Sequence, residues 1–482
     1  MWQISESADL ICDIEYRSLE FFQLHTTQCF GADIGSFLLR AAYHEPIIRT
    51  IAVAIGSLHR SFVFEQRGLL TKSEDTHFTL LHYTKAIRQL VAVHPQISPQ
   101  TNDTFLIACI LFFCFECLQG HYRSAFRHAT SGLKIISQQR SLPSDTALRM
   151  YMPPETITLL FSILENQILE IEGDELLSLE DRPRLLSTFS DPIINLLQPS
   201  STVDDILRSF QILYNRFVRF ESVCEMLVEQ LENQPFEFLA QVRHIQMEYV
   251  RIRNDMQSWM DIFEKWLRES CTIENDARVI TMKVWRLVMC LFLDLEWPPS
   301  ELTWDKYTET FIAINSLVAD MLGVPSYSLT SCNSSPGPQT PDGSASAVGG
   351  ETASFLPLRP KPSKTIAPTF SLSLGVVTPL YLCATRCRDS ATRHYAIDLM
   401  AYSQRREGLW DAELAGRIAK RIVTIEETGA GIAPGTEYGP EEIKLSARVR
   451  SLSPSFGEGR VAKIRYNRVS GDTGLVEEVF TW

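Results

Sequence analysis

The residues best suited to chemistry in this chain are its cysteines, its paired acids and one run of arginines, and each invites a different reaction. Cys114 and Cys117 have the spacing of half a zinc site or of a redox dithiol. They lie in the apolar run Phe105 to Leu118, whose single polar residue is Glu116, and no second pair stands at metal spacing, so both read as buried structural thiols. Cys383 and Cys387, one helical turn apart, read the same way. His44-Glu45 opens like a zinc-protease helix but lacks the second histidine one turn on. Asp204-Asp205 opens like an aspartate-rich magnesium-diphosphate helix, yet continues as Ile206-Leu207-Arg208 without the third carboxylate. Neither a Gly-rich phosphate loop nor a nucleophile elbow occurs. Arg386, Arg388, Arg393, Arg405, Arg406, Arg417, Lys420 and Arg421 stand against Asp389, Asp398, Glu407, Asp411 and Glu413. That modest cationic excess reads as a solvated face, with a phosphate-binding patch as the alternative. No residue is assigned to catalysis, cofactor binding, metal ligation or DNA contact, and the chain reads as a non-enzyme.

The elements that must position these residues are helices. In "NDTFLIACILFFCFECLQGHYRSAFRHATSGLKIISQQ", Asn102 to Gln139, the first arm offers no face to water, so it must sit inside other helices. Its fourteen residues from Phe105 span about 21 Å, against about 30 Å for a bilayer core, so a buried helix is expected and a membrane span is not. Gly120 breaks the run. The second arm sets Tyr122, Ala125, Phe126, Ala129, Leu133 and Ile136 on a dry face and Arg123, Arg127, His128 and Lys134 on a wet one. "HYTKAIRQL" at His82 to Leu90 echoes "HYRSAFRHA" at His121, which suggests stacked helical hairpins.

The rest of the chain carries the same period. Helices are expected over Glu15 to Phe30, Ile34 to Tyr43, Pro46 to Phe64, stopped at Gly68, Phe78 to Val93, stopped at Pro95, and Glu155 to Ile171. Phe210, Tyr214, Phe217 and Phe220 form one aromatic stripe, and Trp259, Phe263 and Trp266 another. Each ring contributes on the order of 2–3 kcal/mol when buried, so core packing explains them without a ligand. Ser326 to Thr369 has 25 Ser, Thr, Pro or Gly among its 44 residues and reads as a disordered loop, with Ser335-Pro336 and Thr340-Pro341 as candidate proline-directed phosphorylation sites. Helices are expected to resume with Leu372, Val376, Leu380, Tyr381 and Ala384, then Thr392 to Ala401, then a helix whose buried stripe is Leu409, Leu414, Ile418, Ile422 and Ile425. Beyond Gly429, "EIKLSARVR" and "RVAKIRYNRV" alternate like the strands of a small hairpin. The expected fold class is all-α: a helical domain over residues 1–325, the loop over 326–369, more of the helical domain over 370–428, and a tail with a β-hairpin over 429–482.

Composition narrows the function classes. With 45 % hydrophobic and 21 % charged residues the chain is ordinary globular protein, and its net charge of −13 argues against a general affinity for phosphate backbones. The opening "MWQISESADLICDIEYRSLE" has no basic segment before an apolar one, so secretion is not expected and the eleven cysteines read as reduced thiols.

Five stretches together resemble the regulatory region of fungal binuclear zinc-cluster transcription factors, the C6-finger proteins. They are "AAYHEPIIRTIAVAIGSLHRSF" (Ala41 to Phe62), "HYTKAIRQL", "LIACILFFCFECLQGHYRSAFRHATSGLKII", the segment from Leu374 to Glu427 with Arg405 to Asp411 inside it, and "GEGRVAKIRYNR". The resemblance runs from Ile14 to Arg468 and implies an all-α domain that controls activation and contacts protein coregulators or a dimer partner, in the nucleus. Many such factors serve secondary-metabolite gene clusters. The chain departs from the family in the DNA-binding module, which needs six cysteinates at C-x2-C-x6-C spacing to hold two zinc ions. Only Cys12 and Cys29 precede residue 100. No zinc cofactor and no direct DNA binding are therefore expected of this chain alone; either the module is lost or an upstream exon encodes it. The alternative reading is an all-helical enzyme or ligand-binding protein with an unrecognised pocket.

Overall fold

The computed structural model describes residues 13–65, 74–92, 99–139, 151–171, 201–233, 239–269, 276–295, 300–324, 368–468 and 476–482. A helix that is apolar all round has to be wrapped by others, and the architecture of the first half follows from that need. The central helix α5 (Pro99–Gln119) is enclosed by α3 (Pro46–Glu65), α6 (Tyr122–Gln139) and α7 (Pro154–Ile171). Every side chain from Leu106 to Leu118 is at most 5 % exposed. At 21 residues, about 31 Å, α5 is longer than its apolar run suggests and matches a membrane span in length. So does α3, and most of each is buried against neighbouring helices. Length therefore does not separate them from membrane helices; their enclosure does.

Gly120 makes the hairpin between α5 and α6. Its φ of +75° is a left-handed value that favours glycine, and the His121 N–H donates to Glu116 O at 2.9 Å while the Gly120 N–H donates to Cys117 O at 3.1 Å. The layer is completed by α1 (13–21), which continues through a π turn, Phe22–Thr26, and a 3-10 turn, Thr27–Phe30, then by α2 (Ala32–His44) and α4 (Glu74–Ala92). The expected single helix to Phe30 is thus wound in three ways.

A second layer is built on the aromatic stripes. They lie on α8 (Val203–Asn233) and α9 (Leu239–Glu269), and α10 (Ala277–Asp294) closes over them. Phe210 meets Trp259 at 4.7 Å and Tyr214 meets Trp285 at 4.5 Å between ring centres. The indole N–H groups donate to Ser209 Oγ from Trp259 and to Gly375 O from Trp285. Against this layer pack α11 (Thr308–Leu322), α12 (Val377–Arg386), α13 (Ser390–Ser403) and α14 (Ala412–Ala430). The fold is all-α, as expected, with small sheets at its C-terminal end.

Those sheets correct several sequence expectations. Phe370 lies in strand β1 (Thr369–Ser371), and α12 begins only at Val377, so Leu372 and Val376 precede it. β1 pairs in parallel with β2 (Arg405–Glu407), which turns at Gly408 into the antiparallel β3 (Trp410–Asp411). Leu409 therefore belongs to a turn and not to the stripe of α14, because Asp411 starts that helix by accepting from the Glu413 and Leu414 N–H groups. The C-terminal hairpin of β4 (Val449–Phe456) and β5 (Val461–Arg468) is present and gains a third strand, β6 (Val476–Thr481). The expected strand "EIKLSARVR" is extended only from Val449, where β4 begins; before it the chain makes 3-10 turns ending at Glu442 and spanning Leu445–Ala447. The expected helix stops at Gly68 and Pro95, the phosphorylation motifs and nearly all of the Ser/Thr/Pro/Gly segment lie outside the described residues.

Candidate functional site

Arg405 to Asp411 ties together five helices and one sheet. Arg406 is buried, donates to the Leu118 carbonyl at the end of α5, pairs through Nε with Asp411 Oδ2 at 2.9 Å, and lies 4.9 Å over the Phe62 ring of α3. The Glu407 carboxylate accepts from the Val376 and Val377 N–H groups at 3.0 and 2.8 Å, satisfying the open amides at the start of α12. Arg405 Nε donates to the same carboxylate at 2.6 Å. Gly408, with φ +61°, brings its backbone so close to α7 that a Cβ would fall 2.0 Å from Gln167 Oε1. That oxygen accepts the Leu409 N–H at 3.0 Å. Charge here is satisfied inside the protein, so the stretch works as a clamp.

The next residue opens a cavity. Trp410 Nε1 donates to Glu170 Oε2 at 2.8 Å, and the Tyr214 hydroxyl donates to Glu170 Oε1 at 2.7 Å. Glu170 ends an otherwise apolar turn of α7 and faces a cavity of about 250 Å³ walled by α12, α14 and β4, where Tyr381, Leu414, Ile418 and Phe456 stand. Burial pushes its carboxyl up to about 7, although Tyr214 and Trp410 both favour the charged form. The nearby guanidinium of Arg386 is committed to Glu301 at 2.7 Å. A lone carboxyl against hydrocarbon, oriented by two fixed donors, is suited to holding a ligand.

The sequence-flagged residues fall elsewhere. Cys114 and Cys117 are fully enclosed in α5, with burial raising both thiols well above their usual range, and Cys383 is buried in the same manner. Cys387 is also buried, its thiol pushed up to about 11. Glu45 accepts from the Tyr151 hydroxyl at 2.6 Å while His44 stacks on that ring. Asp204 pairs with Arg278 at 2.8 Å, and Asp205 accepts from the Thr202 N–H at the start of α8, so this pair is a helix start and not a diphosphate site. The cationic run is only partly a solvated face. Arg417 and Arg421 are exposed and paired with Glu413 and Glu478, but Arg388 and Arg393 have no exposure at all. Arg388 bridges Glu301 at 2.8 Å and Glu426 at 3.0 Å, and Arg393 reaches Glu426 at 2.7 Å. Burial pushes Glu426 up, and the two guanidinium groups outweigh it and hold the carboxyl below its usual range. Cations sealed against carboxylates in this way are closed to an external phosphate.

Glu116, the one polar residue of the apolar run, accepts from the Tyr83 hydroxyl and lies 3.2 Å from His121 Nδ1. Both partners come from the two "HY" echoes, whose helical pairs it locks together. Among the described residues no group of three or more His, Cys, Asp or Glu is placed to hold a metal ion. Glu170 and Trp410 carried no sequence signal as a pair, being far apart in the chain; the only cue was an acid in the apolar stretch "QILEI".

No protein-family model and no solved structure matches the chain. It is 31 % identical over 520 aligned residues, covering 98 % of this chain and 82 % of the relative, to the aspercryptin biosynthesis cluster-specific transcription regulator of Emericella nidulans.

Proposed function

We infer the role of this chain from the family it belongs to, that of the fungal transcription regulators represented by the aspercryptin cluster's regulator. The chain regulates transcription in a fungus, and the genes it serves form a biosynthetic cluster. The observation that carries this reading is the extent of the similarity, which runs through 98 % of the chain and so includes the clamp, both helical layers and the terminal sheet.

The helical body acts in the nucleus through protein contacts, with a coregulator or a second copy of the chain. The six-cysteine spacing of the zinc-cluster module does not occur within these 482 residues, and no residue among them is assigned to DNA contact. Deleting the gene in its host fungus, followed by RNA sequencing, tests the proposal. A contiguous set of biosynthetic genes is expected to fall roughly tenfold or more, the size of a lost regulatory coupling of at least about 1.4 kcal/mol. A transcriptome unchanged on both deletion and forced expression overturns it.

A further inference from the structure

The cavity beside the clamp lacks one partner. Glu170 keeps one lone-pair direction free on each oxygen once Tyr214 and Trp410 have donated. Of the cations lining the cavity, Arg386 pairs with Glu301 and Arg450 is solvent-exposed, and Arg406 beside it pairs with Asp411. Thr385 and Asp411 also line it, Asp411 engaged by Arg406, and the rest of the wall is aliphatic and aromatic. At about 30 Å³ for each non-hydrogen atom, 250 Å³ holds roughly eight such atoms, with the open side free to take a ninth. We propose that this cavity binds a small apolar amine, its protonated nitrogen held by the Glu170 carboxylate and its hydrocarbon or ring lodged among Tyr381, Trp410, Leu414 and Ile418.

The chemistry at Glu170 disfavours the other common ligand classes. A carboxylate or phosphate would meet Glu170 with like charge, and a sugar would leave its hydroxyls against Leu414 and Ile418 without partners. An ammonium group supplies the opposite charge at the one lining carboxylate that has no cation, in a setting of low dielectric where such a pair is strongest. The site is also placed to act on the rest of the body. Trp410 belongs to the same turn as Arg406, Glu407 and Asp411, which hold the ends of α5, α12 and α14, so a ligand that stiffens the Trp410–Glu170 contact stiffens the clamp. Binding itself does not depend on the regulatory reading; only its role as an effector of transcription rests on that.

Isothermal titration calorimetry of the full chain at about pH 8, where the Glu170 carboxyl is ionised, tests the proposal with 2-phenylethylamine and its neutral near-isostere 2-phenylethanol. The amine is expected to bind roughly tenfold more tightly than the alcohol, the range of a charge-assisted contact. Glu170→Gln, checked for its fold by circular dichroism, should make the two affinities equal. Ile418→Trp, which fills the cavity from α14, should remove binding of both. No binding of the amine at millimolar concentration overturns the proposal, as does equal affinity of the wild type for the two probes, or an amine preference that survives Ile418→Trp. A gene deletion without transcriptional effect would leave these outcomes untouched, so failure of the site and failure of the regulatory reading are distinguishable.

Discussion

Glu170 costs the folded chain stability whenever it is charged, and the direction of that cost can be measured. Its carboxyl rises from an ordinary 4.5 to about 7 on folding, so folding takes up a proton between those values. The stability this group contributes is full below pH 4.5 and is lost as pH rises through 7, a difference of about 3 kcal/mol. Glutamine at 170 never ionises, its carbonyl can accept from Trp410, and its amide can donate to a rotated Tyr214 hydroxyl. Urea unfolding should therefore find Glu170→Gln more stable than wild type by about 2–3 kcal/mol near pH 8 and equal to it near pH 4.5. Equal stability at both would mean that the carboxyl is solvated. Gly408→Ala should act oppositely and at every pH, because the methyl group meets Gln167 and the φ of +61° disfavours it. A loss of about 2–4 kcal/mol is expected in the same assay. Gly408 lies in the stretch Arg405 to Asp411 that the resemblance picks out, but neither contact could be read from the chain, since Gln167 lies far from Gly408 in sequence and Trp410 far from Glu170. Glu116 stood out in the sequence as the one polar residue of its apolar run, but its partners Tyr83 and His121 emerge only in the structure.

At the scale of elements, what the period of the apolar residues decides was legible and what a distant side chain decides was not. The hairpin of α5 and α6, its break at Gly120 and the two aromatic stripes follow from local pattern alone. The start of α14 does not, because Leu409 sits at a spacing that also fits the helix stripe, and only the pairing of β2 with β1 reveals a turn there. The arginine run misled in the same way: charge in sequence reads as surface, but Glu301 on one side and Glu426 on the other draw Arg388 and Arg393 inward. Those contacts fasten α13 to α14 and, through the Val449 N–H on Glu426 Oε1 at 2.9 Å, fasten β4 as well. Glu426→Gln leaves two buried guanidinium groups short of negative charge. It should cost about 3–5 kcal/mol and lower the melting temperature by several degrees, measurable by differential scanning calorimetry. Replacing Glu426 together with both arginines by apolar residues should restore part of that loss, which a purely steric role for Glu426 would not allow.

Among the described residues two large apolar cores stand out beside a small cluster of Tyr438, Ile443 and Ala447, and each large core is assembled from both sides of the segment 325–367. Around α5 gather Phe370, Leu409, Ile418, Val449 and Ile464 from the C-terminal side, while Leu380, Ala396 and Ala419 pack into the layer of α8 to α11. The two cores meet along α7 and α8 in a polar seam, where Asn166 donates to Asn215, Asn215 donates to Ser162, and Arg219 pairs with Glu165. Such a seam holds only one register, since any slip leaves buried polar groups unpaired. Leu169, Tyr381 and Trp410 touch both cores, so the cavity lies at their junction. This joint construction sets how the chain should respond to cutting. A protease site placed within 325–367 should yield two fragments that co-elute in size-exclusion chromatography and melt as one unit, because neither can bury its apolar face without the other. The fragments expressed separately should aggregate, and mixing them after refolding should recover the native circular dichroism. If the cut chain separates into two soluble pieces with independent transitions, the cores are autonomous, and a ligand at Glu170 could not couple one to the other through the clamp.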